Sequence, residues 1–74
     1  MEFGEAVEIE GVIVEAETDA GYTDHGALKC MMPEQPESVW IPKSQVDDRS
    51  EVYKSGDKGV MMISEWIAKK KGLI

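Results

Sequence analysis

Apolar residues and glutamates alternate at the start of the chain. The apolar positions are Val7, Ile9, Val12, Val14 and Ala16, and glutamates occupy positions 8, 10, 15 and 17. Alternation with a period of two is typical of a strand that buries one face. The two halves of the pattern are out of phase by one residue at Gly11. A glycine-containing β-bulge would bring all five apolar side chains onto one face, so we predict a long strand that bends at Gly11.

The rest of the chain predicts three further short strands, a brief strand or extended segment at 51–54, and a helix. A loop over residues 18–26 leads to apolar segments at 27–32, 38–41, 51–54 and 60–63, and Pro42 indicates a sheet edge because it has no amide donor. Ser64 suits a helix N-cap, three lysines follow at 69–71, and Gly72 suits a left-handed stop. We expect Trp66, Ile67 and Leu73 to hold this helix against the sheet.

These elements together predict the fold class. About five short strands and a C-terminal helix within 74 residues indicate a mainly β (α+β) protein and a single compact domain over 1–74. We expect a small, strongly bent antiparallel sheet or a partly open barrel of the SH3-like or OB-like kind.

Composition narrows the class of protein. Cys30 is the single cysteine and cannot form an internal disulfide, which favours a reducing compartment. The apolar runs are too short for a membrane span, and the acidic N-terminus is unlike a signal peptide. We therefore expect a cytoplasmic protein with no membrane segment.

Candidate catalytic and metal-binding chemistry is sparse. His25 and Cys30 are five positions apart, but Cys30 shares a predicted apolar face with Leu28 and Met32, and no orienting group stands at a recognisable spacing. One histidine and one cysteine cannot complete a structural zinc site, and no calcium-loop spacing occurs. We predict a non-enzymatic protein without a metal or cofactor.

Charge is strongly segregated along the chain. Residues 1–37 carry a net charge of −9, residues 38–74 carry +2, and the whole chain carries −7, which disfavours duplex DNA as a ligand. Strand spacing predicts an acidic outer face formed by Glu8, Glu10, Glu15 and Glu17. Such a face suits a basic surface on a protein partner, although the same charges would also keep a small sheet soluble.

The second half of the chain suggests a different ligand. Aromatic and basic residues cluster there, namely Trp40, Lys43, Tyr53, Lys54 and Lys58. Aromatic rings beside cationic side chains are typical of single-stranded nucleic-acid binding. The other interpretation is that Trp40 covers the second side of the sheet, against the terminal helix.

A longer pattern spans residues 39–73. The sequence VWIPKSQV at 39–46 is followed by SEV at 50–52 and WIAKKKGL at 66–73. This combination resembles small, uncharacterised phage and prophage proteins with a VWIPKSQ(I/V)…SEV…WIAxKKGL pattern, and the resemblance extends over about residues 27–74. Arg49 interrupts the acidic turn of the pattern, and Tyr53 stands where an aromatic residue, often Trp, is usual. The resemblance implies a phage or prophage origin and a small compact domain, and it implies no activity.

Two functional hypotheses follow from these observations. The first is a small acidic binding module, encoded by a phage or prophage, that binds a host or phage protein through its acidic face. The alternative is a single-stranded nucleic-acid-binding accessory protein of phage replication or recombination. The predicted edge strand ending at Pro42 also allows two copies to pair as a homodimer.

Overall fold

The structure, a computed structural model, describes residues 5–19 and 25–74. Its elements are β1 (Ala6–Glu17), β2 (Ala27–Met31), β3 (Val39–Pro42), a 3₁₀ turn (Lys43–Gln45), β4 (Lys58–Ser64) and α1 (Glu65–Lys70). Residues 20–24 of the predicted loop lie outside the described residues.

The strands form one open antiparallel sheet in the order β3-β2-β1-β4. The predicted mainly β fold with an antiparallel sheet and a C-terminal helix is confirmed. The helix follows β4 directly, so its position is set by the last strand of the sheet.

Residues 51–54, predicted as a brief strand or an extended segment, form no strand. The segment after the 3₁₀ turn instead lies along the free edge of β4: the amide of Asp47 donates to the Met62 carbonyl at 2.8 Å, and the amide of Glu51 donates to the Val60 carbonyl at 2.9 Å. These donors are four residues apart and their acceptors only two, so a regular ladder cannot form. The Glu51 carboxylate accepts from the Val60 amide at 3.0 Å, and the segment thus covers an otherwise open sheet edge.

Strand β1 contains two bulges. The first lies between Ile9 and Val12, where Gly11 has a φ of +77°, and it confirms the predicted glycine-containing bulge. The second lies between Val14 and Ala16 and was not predicted. It places Ala16 opposite Lys29 and Glu17 opposite Leu28, so the prediction that Ala16 faces the core is wrong and Glu17 turns inward in its place.

The core fills the inner face of the sheet. Its strand residues alternate in each strand and are buried: Val12, Val14, Leu28, Cys30, Ile41, Met61 and Ile63. Ile67 and Ala68 of α1 cover this face, and Val46 and Val52 join the same cluster. The opposite side of the sheet, called the outer face below, is left to solvent.

The helix begins and ends as predicted. The Ser64 hydroxyl accepts from the Ile67 amide at 3.3 Å, and Gly72 has a φ of +72°. The Leu73 amide donates to the Ala68 carbonyl at 2.8 Å, which is the six-to-one bond of a Schellman motif. Trp66, however, is 59% exposed, so the expectation that it docks the helix is wrong. A six-residue helix buries a single narrow stripe, and Ile67 and Ala68 fill it.

Candidate functional site

Two of the predicted acidic residues lie on the first half of β1. Glu8 is opposite Met62 on the outer face, and Glu10 is exposed at the bulge. Within the described residues, neither forms an ion pair. Such unpaired carboxylates repel one another and contribute little to the fold, so they are available to an approaching cation.

Arg49 is the basic neighbour of this region. It is bound to Asp47 through Nε to Oδ1 at 2.9 Å and through a terminal nitrogen to Oδ2 at 3.1 Å. The pKa of Arg49 is raised chiefly by this hydrogen-bonded carboxylate, with a smaller contribution from Glu8. Arg49 and Glu8 line a shallow open depression with Glu5, Ala6 and Met62. The Arg49 charge is already paired with the Asp47 carboxylate, so the Glu5 and Glu8 carboxylates leave this depression with a net negative charge.

An exposed apolar patch occupies the outer face beyond the Gly11 bend. Ile13 lies directly opposite Met31, and the two side chains are 42% and 46% exposed. Trp40, also 42% exposed, lies opposite Lys29 and is therefore the diagonal neighbour of Met31 across the β2–β3 pair. We call Ile13, Met31 and Trp40 the apolar patch. It spans three adjacent strands.

Charged residues surround the apolar patch. Glu15 is exposed at the second bulge, and one of its carboxylate oxygens accepts a hydrogen bond from the Ser38 hydroxyl. Lys58 lies opposite Ile13, and Lys29 lies opposite Trp40. Glu8, Glu10 and Glu15, called the acidic row below, thus share the outer face with the apolar patch and two lysines.

Glu17 does not belong to the acidic row. The second bulge of β1 turns its carboxylate inward, where it meets the Lys43 ammonium at 3.5 Å, and the two side chains are only 11% and 7% exposed. Glu17 also accepts from the Ser55 amide at 2.5 Å, and Lys43 donates to the Asp19 carbonyl at 3.2 Å. Both residues are thus structural, which corrects their assignment to the acidic face and to the nucleic-acid site.

The other predicted nucleic-acid residues are not brought together. Trp40 lies on edge strand β3, whereas the Tyr53 hydroxyl donates to the Asp47 carbonyl at 3.2 Å and to the Asp48 carbonyl, beside the opposite edge strand β4. Desolvation and the nearby Asp48 and Asp47 charges raise the pKa of Tyr53. Lys58 faces the apolar patch and Lys54 is exposed in a turn. The predicted set does not form one stacking surface.

Several exposed residues were missed by the sequence reasoning. The alternation of β2 places Met31 outward, but its contact with Ile13 depends on the register between strands. Trp66, Lys69 and Lys70 form a second exposed group on α1, on the side away from the core, and Lys71 is exposed directly after the helix. The charge run was visible in the sequence, whereas the exposure of Trp66 was not.

Cys30 has the environment of a core residue. Its thiol is buried and donates to the Leu28 carbonyl at 3.5 Å. Burial, with a smaller contribution from Glu15, raises the pKa of this thiol to about 12. Thiolate is therefore scarce at neutral pH, which argues against Cys30 as a nucleophile.

The described residues contain neither a metal-ligand cluster nor a membrane-spanning helix. Over 5–19 and 25–74, His, Cys, Asp and Glu side chains do not converge in a group of three or more that could hold a metal ion. In that same part of the chain, no helix has the length and apolar character needed to cross a membrane.

Comparisons with protein-family models, with curated proteins and with solved structures found no match to this chain. The candidate site therefore stands on its geometry: an acidic row and an apolar patch on one exposed sheet face.

Proposed function

We propose that this protein is a small, non-enzymatic binding module of the cytoplasm, encoded by a phage or prophage, that binds a host or phage protein through the outer face of its sheet. The observation that supports the proposal is that the acidic row and the apolar patch share this one face. The resemblance of residues 39–73 to phage and prophage proteins supports the origin.

The apolar patch would supply most of the binding free energy. Three large side chains, each more than two-fifths exposed, lie side by side, and small monomers seldom leave such neighbours uncovered without a reason. Aromatic residues and Met are enriched in protein interfaces, and Trp is frequent among interface hot spots. Covering Trp40 and Met31 with a partner's apolar residues would remove this surface from water.

The acidic row would define the chemistry of the partner. Exposed carboxylates at Glu8 and Glu10 attract a surface that carries Lys or Arg, which raises the association rate and sets the orientation. Because these charges lie on the surface, the attraction weakens as salt rises toward and beyond about 0.15 M. The partner we propose is therefore a protein with an apolar spot that is flanked by basic residues.

A paired set of charge reversals tests this proposal. Tagged wild-type protein, Glu8→Lys/Glu10→Lys and the control Glu34→Lys/Glu37→Lys are used to capture proteins from nuclease-treated bacterial lysate. Both variants change the net charge equally, and the control sites are exposed in the loop between β2 and β3. We expect one protein to be captured by the wild type and the control and lost with Glu8→Lys/Glu10→Lys.

A third variant tests the contribution of the apolar patch independently of the acidic row. Trp40→Ala is expected to weaken binding of the captured protein by about tenfold or more, the range of an interface hot spot. Equal losses from both charge-reversal pairs, or binding that does not change with salt, would contradict the proposal. Light scattering of the purified protein shows whether two copies pair. The edge strand β3 is available for such pairing.

A further inference from the structure

The exposed side of α1 carries an aromatic ring among lysines. Trp66 is 59% exposed, and the Lys70 ammonium lies 4.8 Å from the centre of its ring. Lys69 is also exposed on α1 and pairs with Glu65 at 3.1 Å, and Lys71 is exposed at the C-cap that follows the helix. Three lysines and one acidic residue occupy positions 65–71. Glu5 lies beside the start of α1, where its carbonyl accepts from the Glu65 amide at 3.2 Å, so the basic part of this surface is its C-terminal end.

This surface lies on the opposite side of the molecule from the acidic row. Ile67 and Ala68 pack onto the inner face of the sheet, so the exposed side of α1 points away from the outer face. The smallest extent of the protein is 18 Å, which is about two Debye lengths at physiological salt. Screening therefore limits how far the acidic row can weaken the field of the lysines.

We infer that the Trp66 and Lys69–Lys71 surface binds single-stranded nucleic acid, with a base stacked on the indole and phosphates at the lysines. The inference is independent of the proposed function, because it uses different residues on another side of the protein. Lys70 covers one face of the indole, and the opposite ring face is the surface on which the base stacks.

The structure disfavours two other anionic ligands. A bilayer would require a broad apolar helix face, but the aliphatic residues of α1, Ile67 and Ala68, are buried in the core and leave Trp66 as the exposed apolar side chain of the helix. The bases of a duplex are stacked on one another, so Trp66 cannot reach their faces. The dense phosphate charge of a duplex also repels a protein whose net charge is −7. A single strand offers both unstacked bases and phosphates.

Trp fluorescence distinguishes this site from the outer face. Trp40→Phe leaves Trp66 as the emitting indole, and Trp66→Phe leaves Trp40. Each protein is titrated at low salt with an oligothymidylate and, in a separate arm, an oligouridylate of about 12 nucleotides. We expect quenching in Trp40→Phe and none in Trp66→Phe. The two arms show whether DNA or RNA is preferred.

A matched pair of lysine variants tests the phosphate contacts. Lys70→Gln/Lys71→Gln removes two charges from the site, and Lys54→Gln/Lys58→Gln removes two exposed charges elsewhere. Three phosphate contacts predict a salt slope of about −2, or a loss of about 20-fold in affinity between about 50 and 200 mM salt. We expect the site variant to reduce this slope to about −0.7 and the control to leave it unchanged.

Trp66→Ala is expected to weaken the affinity about five- to 150-fold, the range measured for one stacked base. Absence of Trp66 quenching at about 50 mM salt, or equal losses from the two lysine pairs, would overturn the inference. Binding to vesicles of anionic phospholipid but to neither oligonucleotide would also overturn it, because the site would then serve a lipid surface. Circular dichroism verifies that each variant is folded.

Discussion

At the scale of single residues, Glu17 and Lys43 show how a charged residue acquires a structural role. The sequence predicts that both lie on the surface and contact a ligand, because charged side chains are usually solvated. The pair is instead nearly inaccessible, and hydrogen bonds to the Ser55 amide and the Asp19 carbonyl satisfy the remaining polar atoms. It thereby joins the end of β1 to the 3₁₀ turn and to the turn before β4.

Removing one member of this pair should destabilise the protein. Lys43→Met leaves the Glu17 carboxylate buried without its cation, and we expect a loss of about 3 kcal/mol in the free energy of unfolding, measured in urea. Glu17→Gln in the same chain should recover part of the loss. Lys69→Met is the control, because the exposed Glu65–Lys69 pair is expected to contribute less than about 0.5 kcal/mol. Equal losses at the two lysines would show that Lys43 is solvated.

Asp47 should make stability depend on pH. Hydrogen bonds from the Arg49 side chain and amide, together with the Arg49 charge, lower the pKa of Asp47 below that of an unfolded Asp. The ionised Asp47 carboxylate therefore contributes to the free energy of unfolding above about pH 4, the pKa of an unfolded Asp. This contribution is lost as pH falls through the lower pKa of Asp47 in the folded protein.

Thermal unfolding between about pH 6 and pH 2 tests this. The difference in midpoint between wild type and Asp47→Asn should be constant at the upper end of the range and shrink toward the acidic end. In Arg49→Gln, NMR titration should show the pKa of Asp47 moving back up. A difference that grows as pH falls would contradict the assigned sign.

At the scale of elements, two glycines with similar backbone conformations have different surroundings. Gly11 and Gly26 have φ values of +77° and +80°. A Cβ on Gly11 would lie 3.9 Å from Pro33, an ordinary contact distance. A Cβ on Gly26 would overlap the Thr18 carbonyl oxygen, which is a backbone atom and cannot rotate away as a side chain could. The first position is limited by backbone strain alone, and the second is also limited by space.

Alanine at these positions should separate the two effects. Gly11→Ala is expected to cost about 1–2 kcal/mol, the strain of a left-handed residue. Gly26→Ala should cost more, about 3 kcal/mol or above, because the Thr18–Ala27 backbone pairing must shift. Urea unfolding of both variants measures the difference. A smaller loss at Gly26 would mean that the backbone pairing of Thr18 with Ala27 shifts at little cost in free energy.

At the scale of the whole molecule, both sides of the sheet carry charged residues. The acidic row shares the outer face with Lys29 and Lys58, and the lysines at 69–71 lie beyond the inner face. Neighbouring carboxylates at Glu8 and Glu10 repel each other and have no ion-pair partner among the described residues. They are therefore not expected to stabilise the fold.

Neutralising them should not destabilise the fold. We expect Glu8→Gln/Glu10→Gln to leave the free energy of unfolding within about 0.5 kcal/mol of the wild type or to raise it slightly, with the gain largest at low salt. Urea unfolding at two salt concentrations measures this. A loss of more than about 1 kcal/mol would instead assign these carboxylates a structural role.

Features that depend on short stretches of chain could be predicted from the sequence. The phase change at Gly11, the Ser64 cap and the Gly72 stop each depend on residues within a few positions of one another. The exposure of Glu8 and Glu10 follows from the same alternation. These predictions succeed because dihedral preferences and periodicity act locally.

Only the tertiary structure decided which residues meet across strands. The second bulge of β1 exchanges Ala16 for Glu17 on the inner face, and the strand register brings Ile13, Met31 and Trp40 together. Burial of Ile67 and Ala68 leaves Trp66 outside, although Trp is the larger apolar residue. The physical reason is that pairing register and the limited space of a small core are set by the whole chain, so no local pattern encodes them.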